Sequence, residues 1–246
     1  MGHPPVDRVT LALLNPIIFR KICNSSHLRG TTLRLVCKEW NDLVLSHPER
    51  KLVLKLHNFS SADGCCDPLN FQLFCADMDP RLARNVRLWK DGCHSIAHLT
   101  GKEAGLEQHY KSSMSRFFHV CEKFSEYVHS IEILLHLSMI PVLYEILTRY
   151  CPNLERLRIR EWNGRSGVRN ALNDEVDRVL SRPLLVRRTL TGLNVHTTQR
   201  EDGRPLLVKI MTELIVKSAP NLETLVIPGH LKFKSEWPPG IAVVKT

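Results

Sequence analysis

Two similar phrases, CPNLERLRI at residues 151–159 and APNLETLVI at 219–227, decide the fold that this sequence predicts. Each begins with a small residue before Pro-Asn-Leu-Glu, and each continues as Leu-x-x-Leu-x-Ile. Proline cannot continue a preceding helix, and apolar residues at alternate positions are typical of a strand with one buried face. Each phrase therefore predicts a junction at which a helix ends and a short strand begins.

Looser copies of this phrase occur elsewhere in the chain. They read LTGLNV from residue 190, VHSIEI from 128 and, most loosely, ARNVRL from 83. The starts at 128, 154, 190 and 222 are separated by 26, 36 and 32 residues. Such intervals are the length of one supersecondary unit, so the sequence predicts a unit that recurs along the chain.

Amphipathic helices fill the intervals between these strands. Their apolar residues fall at i, i+3, i+4 and i+7, which places them on one helix face. The three sets are Phe117, Val120, Cys121 and Phe124; Ile140, Leu143, Tyr144 and Leu147; and Leu207, Ile210, Met211 and Leu214. Because no unit can bury its apolar face alone, the units are expected to stack as an α/β solenoid. A non-repetitive α/β domain is the alternative.

Residues 80–230 resemble the leucine-rich repeats, in an irregular form. The asparagine expected three residues after the last strand leucine is replaced, in three units, by Trp162, Thr198 and His230. The units are also longer than the usual length of about 20–29 residues. The resemblance implies a leucine-rich-repeat-like solenoid over residues 81–246, with its last strand-like unit ending near Pro228. We expect the remaining tail either to cap the solenoid or to belong to a fragment of a longer one.

Residues 8–50 predict a separate helical module. Asn15 is a suitable N-cap because its side-chain oxygen accepts hydrogen bonds from free backbone amides, and Pro16 suits the first helical position. A second helix carries an apolar stripe at the helical period, formed by Leu33, Val36, Cys37, Trp40, Leu43 and Val44. Leu35 lies about 200° around the helix from Leu33, outside this stripe. Surplus apolar side chains of this kind indicate a second, intermolecular surface.

The second helix of the module, LRLVCKEWNDLV at residues 33–44, resembles the F-box. It follows that family's Arg-Leu-Val-Cys-Lys-x-Trp pattern nearly residue for residue. The first helix keeps the family's apolar positions at Leu14, Ile18, Phe19 and Ile22. The family has proline, glutamate and phenylalanine where this sequence has Asn15, Ile17 and Cys23.

The F-box resemblance implies docking to the small adaptor subunit of a Skp–cullin–F-box (SCF) ubiquitin ligase and, through it, to the cullin. The residues assigned to adaptor binding are Leu11, Leu14, Pro16, Ile18, Phe19, Ile22, Leu35, Val36 and Trp40. A plain helical hairpin that caps the following domain is the alternative. Residues 51–80 are expected to form a linker and the first strand, because residues 57–80 are rich in turn formers and place Cys75 in a loop.

The outward positions of the predicted strands suggest where a target binds. Side chains alternate between the two faces of a strand, so Arg156, Arg158 and Arg160 share the face directed away from the core. Arginine binds carboxylates and phosphates through two parallel hydrogen bonds. We therefore hypothesise that the target is acidic or phosphorylated. The full candidate set is Arg87, Trp89, Arg156, Arg158, Arg160, Asn194 and His196. The alternative is that the three arginines pair with nearby acids such as Glu132 and Glu161.

Composition and motifs narrow the classes of function. The chain has 246 residues, with 34 basic and 25 acidic side chains and a formal net charge of +9. No apolar run approaches the roughly 18 residues that a membrane helix needs, and we expect a cytosolic or nuclear protein whose eight cysteines are reduced. Because no phosphate-binding glycine loop, dinucleotide motif or nucleophile elbow occurs, we expect no enzyme activity and no cofactor. No C-x-x-C pair occurs and no glutamate follows His94 in the H-E-x-x-H manner, so we also expect no metal.

Together these features predict the substrate-recruiting subunit of an SCF-type ubiquitin ligase. The F-box-like module would hold the adaptor, the solenoid would hold a protein target, and other subunits would carry the catalytic residues. One alternative is a repeat scaffold without a role in a ligase. Another is a basic nucleic-acid-binding protein, although aromatic residues are not interleaved with a basic stripe.

Overall fold

The computed structural model divides the chain into two units, Met1–Leu52 and Val53–Thr246. The residues that it describes are 15, 17–18, 21, 38–46, 52–56, 68–88, 114–135, 139–161, 178–179, 181–185, 187–197, 207–231, 233 and 237–246. At residues 68–70, 161 and 207 it describes the backbone alone.

In the first unit, helix α1 (Lys38–Ser46) carries part of the predicted apolar stripe. Trp40 and Val44, one helical turn apart, are buried, and Leu43 is half-buried. Lys38 and Glu39 are exposed on the opposite side. The stripe predicted for this helix is therefore confirmed over these residues.

The second unit is built on seven parallel strands that lie side by side in chain order. The strands are β1 (Leu54–Lys55), β2 (Asn85–Leu88), β3 (Ser130–Leu135), β4 (Arg156–Glu161), β5 (Gly192–His196), β6 (Thr224–Ile227) and β7 (Ala242–Lys245). Each strand pairs in parallel with the next one along the chain. The predicted α/β class is confirmed, and all five predicted strand phrases lead into strands, β2 to β6.

Helices occupy the intervals between strands, since parallel neighbours require a crossover connection. The helices described in the second unit are α2 (Pro68–Asp77), α3 (residues 114–123), α4 (Ile140–Arg149) and α5 (Leu207–Ser218), with 3-10 turns at Pro80–Arg84 and Ser125–Tyr127. The chain thus passes repeatedly from strand to helix and back to the same sheet.

Helix α2 corrects the expectation that its segment is a loop-like linker. Pro68 opens the helix, at a position where its missing amide hydrogen costs little. Phe71 and Cys75 are buried, whereas Leu73 and Phe74 are 55% and 44% exposed. Because the apolar residues surround the helix rather than form one stripe, the sequence gives no periodic signal for it.

The core lies between one face of the sheet and the helices. The strand residues buried on that face are Val86, Leu88, Ile131, Ile133, Leu135, Leu157, Ile159, Leu193, Val195, Leu225 and Ile227. The apolar sets predicted on α3 and α4 are also buried, except Tyr144, which is half-buried and donates its hydroxyl to the Pro183 carbonyl at 2.9 Å. The alternation predicted for the strands is therefore confirmed.

Helix α5 faces the core one residue away from the predicted stripe. Ile210 and Leu214 are only half-buried. The buried residues at helical spacing are Val208, Met211, Thr212 and Ile215. Thr212 fits the interior because its hydroxyl donates to the Val208 carbonyl at 2.6 Å, which leaves no unsatisfied polar group there. The prediction is confirmed for Met211 and wrong for Ile210 and Leu214, because a satisfied threonine takes a place on the inner face. The side chain of Leu207 lies outside the described residues.

Side-chain hydrogen bonds join consecutive units just before their strands. The donors are Asn153, Thr189 and Asn221, and the acceptors are the backbone carbonyl oxygens of Glu126, Pro152 and Arg188, each at 2.8 Å. Every donor precedes the first buried leucine of its unit and every acceptor belongs to the preceding unit. The asparagine of the Pro-Asn-Leu-Glu phrase therefore fixes the stacking of neighbouring units.

The C-terminal tail adds to the sheet instead of ending it at β6. Leu231 is buried, and the rings of Phe233 and Trp237 pack 4.7 Å apart against the core. Strand β7 then pairs with β6. The sequence did not predict this strand.

Candidate functional site

The sheet face opposite the core carries a row of polar side chains in register. Lys55 pairs with Arg87, Arg87 with Glu132, Glu132 with Arg158, and Arg158 with Asn194. Because strands in a sheet lie about 4.8 Å apart, successive side chains of this row are close neighbours. The row therefore brings together residues from five successive strands, β1 to β5.

Glu132 is the centre of this row. Its side chain is only 11% exposed, and its Oε2 lies 2.7 Å from Nε of Arg87. On the other side, Arg158 Nη1 and Arg160 Nε each lie 3.6 Å from Oε1. We call Arg87, Arg156, Arg158 and Arg160 the arginine patch, with Glu132 as its central carboxylate.

Strand register explains why the patch forms. Parallel pairing sets Glu132 directly opposite Arg87 on β2 and Arg158 on β4, and opposite charges across strands attract. The arginine side chains are 23–41% exposed, so each pair contributes only about 0.2–1 kcal/mol. The patch is therefore ordered by its ion pairs, and its arginine side chains stay partly exposed although the Nε atoms of Arg87, Arg158 and Arg160 are buried.

Both sequence interpretations of the arginines find support here. The predicted face is confirmed for Arg156, Arg158 and Arg160, which alternate with the buried Leu157 and Ile159. Pairing with an acid is also found, because Arg158 and Arg160 form ion pairs with Glu132. The side chain of Glu161, the other acid considered, lies outside the described residues.

The remaining predicted target residues extend the same face. Arg87 lies in the patch, Asn194 is opposite Arg158, and His196 is opposite Arg160. Gly192 lies opposite Arg156, and a β-carbon at this glycine would meet Arg156 Cγ at 3.4 Å. The absence of a side chain at Gly192 thus gives the Arg156 stem room to lie across β5. Trp89 lies outside the described residues.

A groove of about 690 Å³ runs along the edge where the strands begin, and sequence reasoning missed it. Its lining includes His129, Asn153, Glu155, Arg188, Thr191 and Glu223. These residues come from the turns that precede β3 to β6. The only sequence signal for them is the recurrence of Pro-Asn-Leu-Glu, whose asparagine and glutamate both line the groove.

The first unit exposes apolar residues from its N-terminal helical segment. Residues 17, 18 and 21 are helical, and Asn15 acts as the predicted N-cap, because its Oδ1 accepts a hydrogen bond from the Ile17 amide at 2.9 Å. Ile17 is 68% exposed and Ile18 is 37% exposed. By their spacing in the sequence, Leu14, Ile17, Ile18 and Ile22 are expected to share one apolar face of this helix. Because Ile17 and Ile18 are accessible, these two side chains do not share a buried face.

The other residues assigned to adaptor binding have two outcomes. Trp40 is 6% exposed, which confirms its predicted place on the inner stripe, and its assignment to adaptor binding stays a prediction. The residues that lie outside the described ones are Leu11, Leu14, Pro16, Phe19, Ile22, Leu35 and Val36. Ile18 is thus the assigned contact that is both described and accessible.

No family model, curated protein or solved structure matches the chain. In the part of the chain that the structure describes, none of the helices combines the length and apolar character needed to cross a membrane. Among the same residues, no group of three or more histidine, cysteine or acidic side chains is arranged to hold a metal ion.

Proposed function

We propose that the chain is the substrate-recruiting subunit of an SCF-type ubiquitin ligase. The first unit binds the adaptor subunit, and through it the cullin, in the manner implied by the F-box resemblance. The open face of the sheet binds a protein target. Ubiquitin transfer belongs to the other subunits of the ligase.

One observation about the first unit carries this proposal. Ile18 occupies a position that the F-box resemblance assigns to adaptor binding, and it is accessible, whereas Trp40 and Val44 of the same unit are buried. The unit therefore has apolar side chains beyond those that fill its own interior. Burying such side chains against a partner is favourable by about 25 cal/mol per Å² of apolar area.

The second unit supports the target-binding half of the proposal. Parallel strands in chain order present one outward side chain from each unit at each register position. This arrangement makes an extended surface on which neighbouring units contribute adjacent contacts. The arginine patch gives that surface a charge preference for acidic partners.

Affinity purification of the tagged full-length chain tests the proposal. We expect the adaptor and cullin to be recovered together and to be identified by mass spectrometry. Arg158→Gln, which changes the sheet face, should leave both recoveries unchanged. Recovery of other proteins without the adaptor would instead favour a scaffold outside any ligase.

A further inference from the structure

The row of side chains on the open face of the sheet continues beyond Asn194 and changes its character. Asn194 is opposite Val226 on β6, and Val226 is opposite Val244 on β7. Val226 is half-buried and Val244 is 47% exposed. The row therefore crosses all seven strands, with cations toward its β1 end and valines at its β7 end.

Strands β1 to β4 give their half of the open face an excess of positive charge. The outward cations of these strands are Lys55, Arg87, Arg156, Arg158 and Arg160. Because Glu132 is the one outward carboxylate described among them, four of these five positive charges are in excess. The sign of the potential on this half is therefore positive.

The five cations differ in how readily a ligand can reach them. Lys55 and Arg156 are exposed, and the side chain of Arg158 is 41% exposed. Arg87 and Arg160 are 24% and 23% exposed and engage in further interactions besides those with Glu132. Direct contacts with a ligand are therefore expected first at Lys55, Arg156 and Arg158, while the other two arginines add to the local potential.

Strands β5 to β7 offer a different surface. At their described outward positions the sequence has no lysine, arginine, aspartate or glutamate. An acidic side chain placed over Val226 and Val244 would lose water without gaining a cation, which is unfavourable. An apolar side chain placed there removes apolar surface from water instead, which is favourable.

The spacing of the strands sets the length of a ligand that reaches both halves. Neighbouring strands lie about 4.8 Å apart, so Val244 is about 14 Å from Arg158 and about 29 Å from Lys55 along the row. An extended chain rises about 3.3 Å per residue. About four residues therefore separate a side chain over Arg158 from one over Val244, and about nine residues cover the row.

A ligand that is charged along its whole length matches only half of this row. A nucleic-acid strand carries a phosphate at every nucleotide, and a strand lying across the sheet would place phosphates over β5 to β7. An evenly acidic peptide has the same disadvantage. A segment that is acidic at one end and apolar at the other matches both halves.

We infer that the open face binds an extended segment of the target protein, about nine residues long, whose acidic end lies over β1 to β4 and whose apolar end lies over β6 and β7. Arg158 and Val244 are the principal contacts of the two ends. The identification of this segment as part of a ligase target rests on the proposed function.

Peptides of one composition and different order test this inference without knowledge of the target. The immobilised full-length chain is offered peptides of about nine residues, all built from the same glutamates, serines and leucines. Two have the glutamates at one end and the leucines at the other, in the two possible directions, and a third mixes them evenly. We expect one of the two block peptides to bind about tenfold or more tighter than the mixed peptide. If the mixed peptide binds as tightly as the better block peptide, or if none is retained, the inference is overturned.

Two pairs of variants assign the two ends of the peptide to residues. Arg158→Gln should weaken binding of the better block peptide about tenfold or more, whereas Arg188→Gln, at an exposed position in the turn before β5, should leave it unchanged. Val244→Ser should weaken it about fivefold, whereas Lys245→Ser, at an exposed position directed to the opposite face of β7, should not. If folded Arg158→Gln or Val244→Ser binds like the unaltered chain, the inference is overturned.

The same preparations separate this inference from the proposed function. Equal binding of block and mixed peptides with intact adaptor recovery contradicts the peptide site alone. A preference for a block peptide without adaptor recovery contradicts the ligase role alone. If single-stranded RNA binds more tightly than either block peptide and depends on Arg158, the inference is overturned in favour of a nucleic-acid ligand.

Discussion

The side-chain amide of Asn153 donates a hydrogen bond to the backbone carbonyl of Glu126, 2.8 Å away in the preceding unit. Asn221 makes the equivalent bond to Arg188 two units later. We expect Asn153→Ala and Asn221→Ala each to lower the free energy of unfolding by about 0.5–1.5 kcal/mol, because each change removes one side-chain hydrogen bond. Urea denaturation of the purified variants measures this difference.

Asn194→Ala is the matched control for these two changes. Asn194 lies on the open face of β5 rather than at a junction between units, and its replacement should alter stability by less than about 0.5 kcal/mol. If Asn194→Ala and Asn221→Ala lower the free energy of unfolding equally, the asparagine hydrogen bonds between consecutive units do not stabilise the stack.

A second prediction concerns the carboxyl end of α4. The Arg187 guanidinium donates to the carbonyls of Tyr150 at 2.9 Å, Ile146 at 3.2 Å and Cys151 at 3.3 Å, and also to that of Leu147. A cation at this end of a helix is favourable because the helix dipole is negative there and the last carbonyls have unused acceptor capacity. The Ile146 and Cys151 carbonyls also accept the amides of Tyr150 and Leu154, each at 3.1 Å. Burial lowers the pKa of this guanidinium from its usual value.

Arg187→Gln should therefore reduce the free energy of unfolding by about 2–3 kcal/mol, since charged hydrogen bonds to several carbonyls are lost together. The neighbouring Arg188 is exposed, and Arg188→Gln should change stability by less than about 0.5 kcal/mol. Thermal and chemical denaturation compare the two. If both variants change the free energy of unfolding by a similarly small amount, water satisfies the carbonyls at the end of α4 as well as the Arg187 guanidinium does.

Cys151 follows α4 with a φ of 54°, in the left-handed region that favours glycine. Its thiol is buried and lies 3.7 Å from the Cys121 carbonyl. Glycine relieves the backbone strain at this position, so Cys151→Gly should be more stable than Cys151→Ala by about 1 kcal/mol. Denaturation of the two proteins gives the difference.

At Cys121, which lies within α3, the order of stability of the glycine and alanine variants should reverse. Glycine in a helix interior is less favourable than alanine by about 1 kcal/mol, so Cys121→Gly should be the less stable variant of its pair. If alanine is better than glycine at both positions, the left-handed conformation does not govern the preference at Cys151.

Local pattern predicted much of the second unit. The Leu-x-x-Leu-x-Ile alternation identified β4 and β6, and its looser copies identified β2, β3 and β5. Helix α2 and strand β7 were missed for a shared physical reason. Each exposes apolar side chains that hide the pattern: α2 buries Phe71 and Cys75 one turn apart but exposes Leu73 and Phe74 between them. Strand β7 buries none of its side chains, and its Val244 is exposed, so the sequence carries no clear buried stripe at either element.

The sequence predicted which arginines form the candidate site but not how they are arranged around Glu132. The alternation of side chains along a strand places Arg156, Arg158 and Arg160 on one face. This placement could be predicted because it depends only on the sequence of β4. The central place of Glu132 depends on how β3 is aligned with β2 and β4, and a shift of one residue would turn it to the core. Hydrogen bonds between units help to set this register, and their partners are about thirty residues apart, beyond the reach of a local pattern.

The central claim is that the first unit binds the SCF adaptor. Substitutions of the adjacent Ile17 and Ile18 test this claim most directly. Purified SCF adaptor is titrated against the chain, against Ile18→Glu and against Ile17→Glu, and binding is measured by calorimetry. Ile17→Glu introduces the residue that the F-box pattern has at that position, and both side chains are accessible in the described structure. We expect Ile17→Glu to bind like the unaltered chain and Ile18→Glu to lose binding about tenfold or more, because a buried charge in the interface is unfavourable. If the unaltered chain does not bind the adaptor, or if Ile18→Glu binds equally well, the account is contradicted.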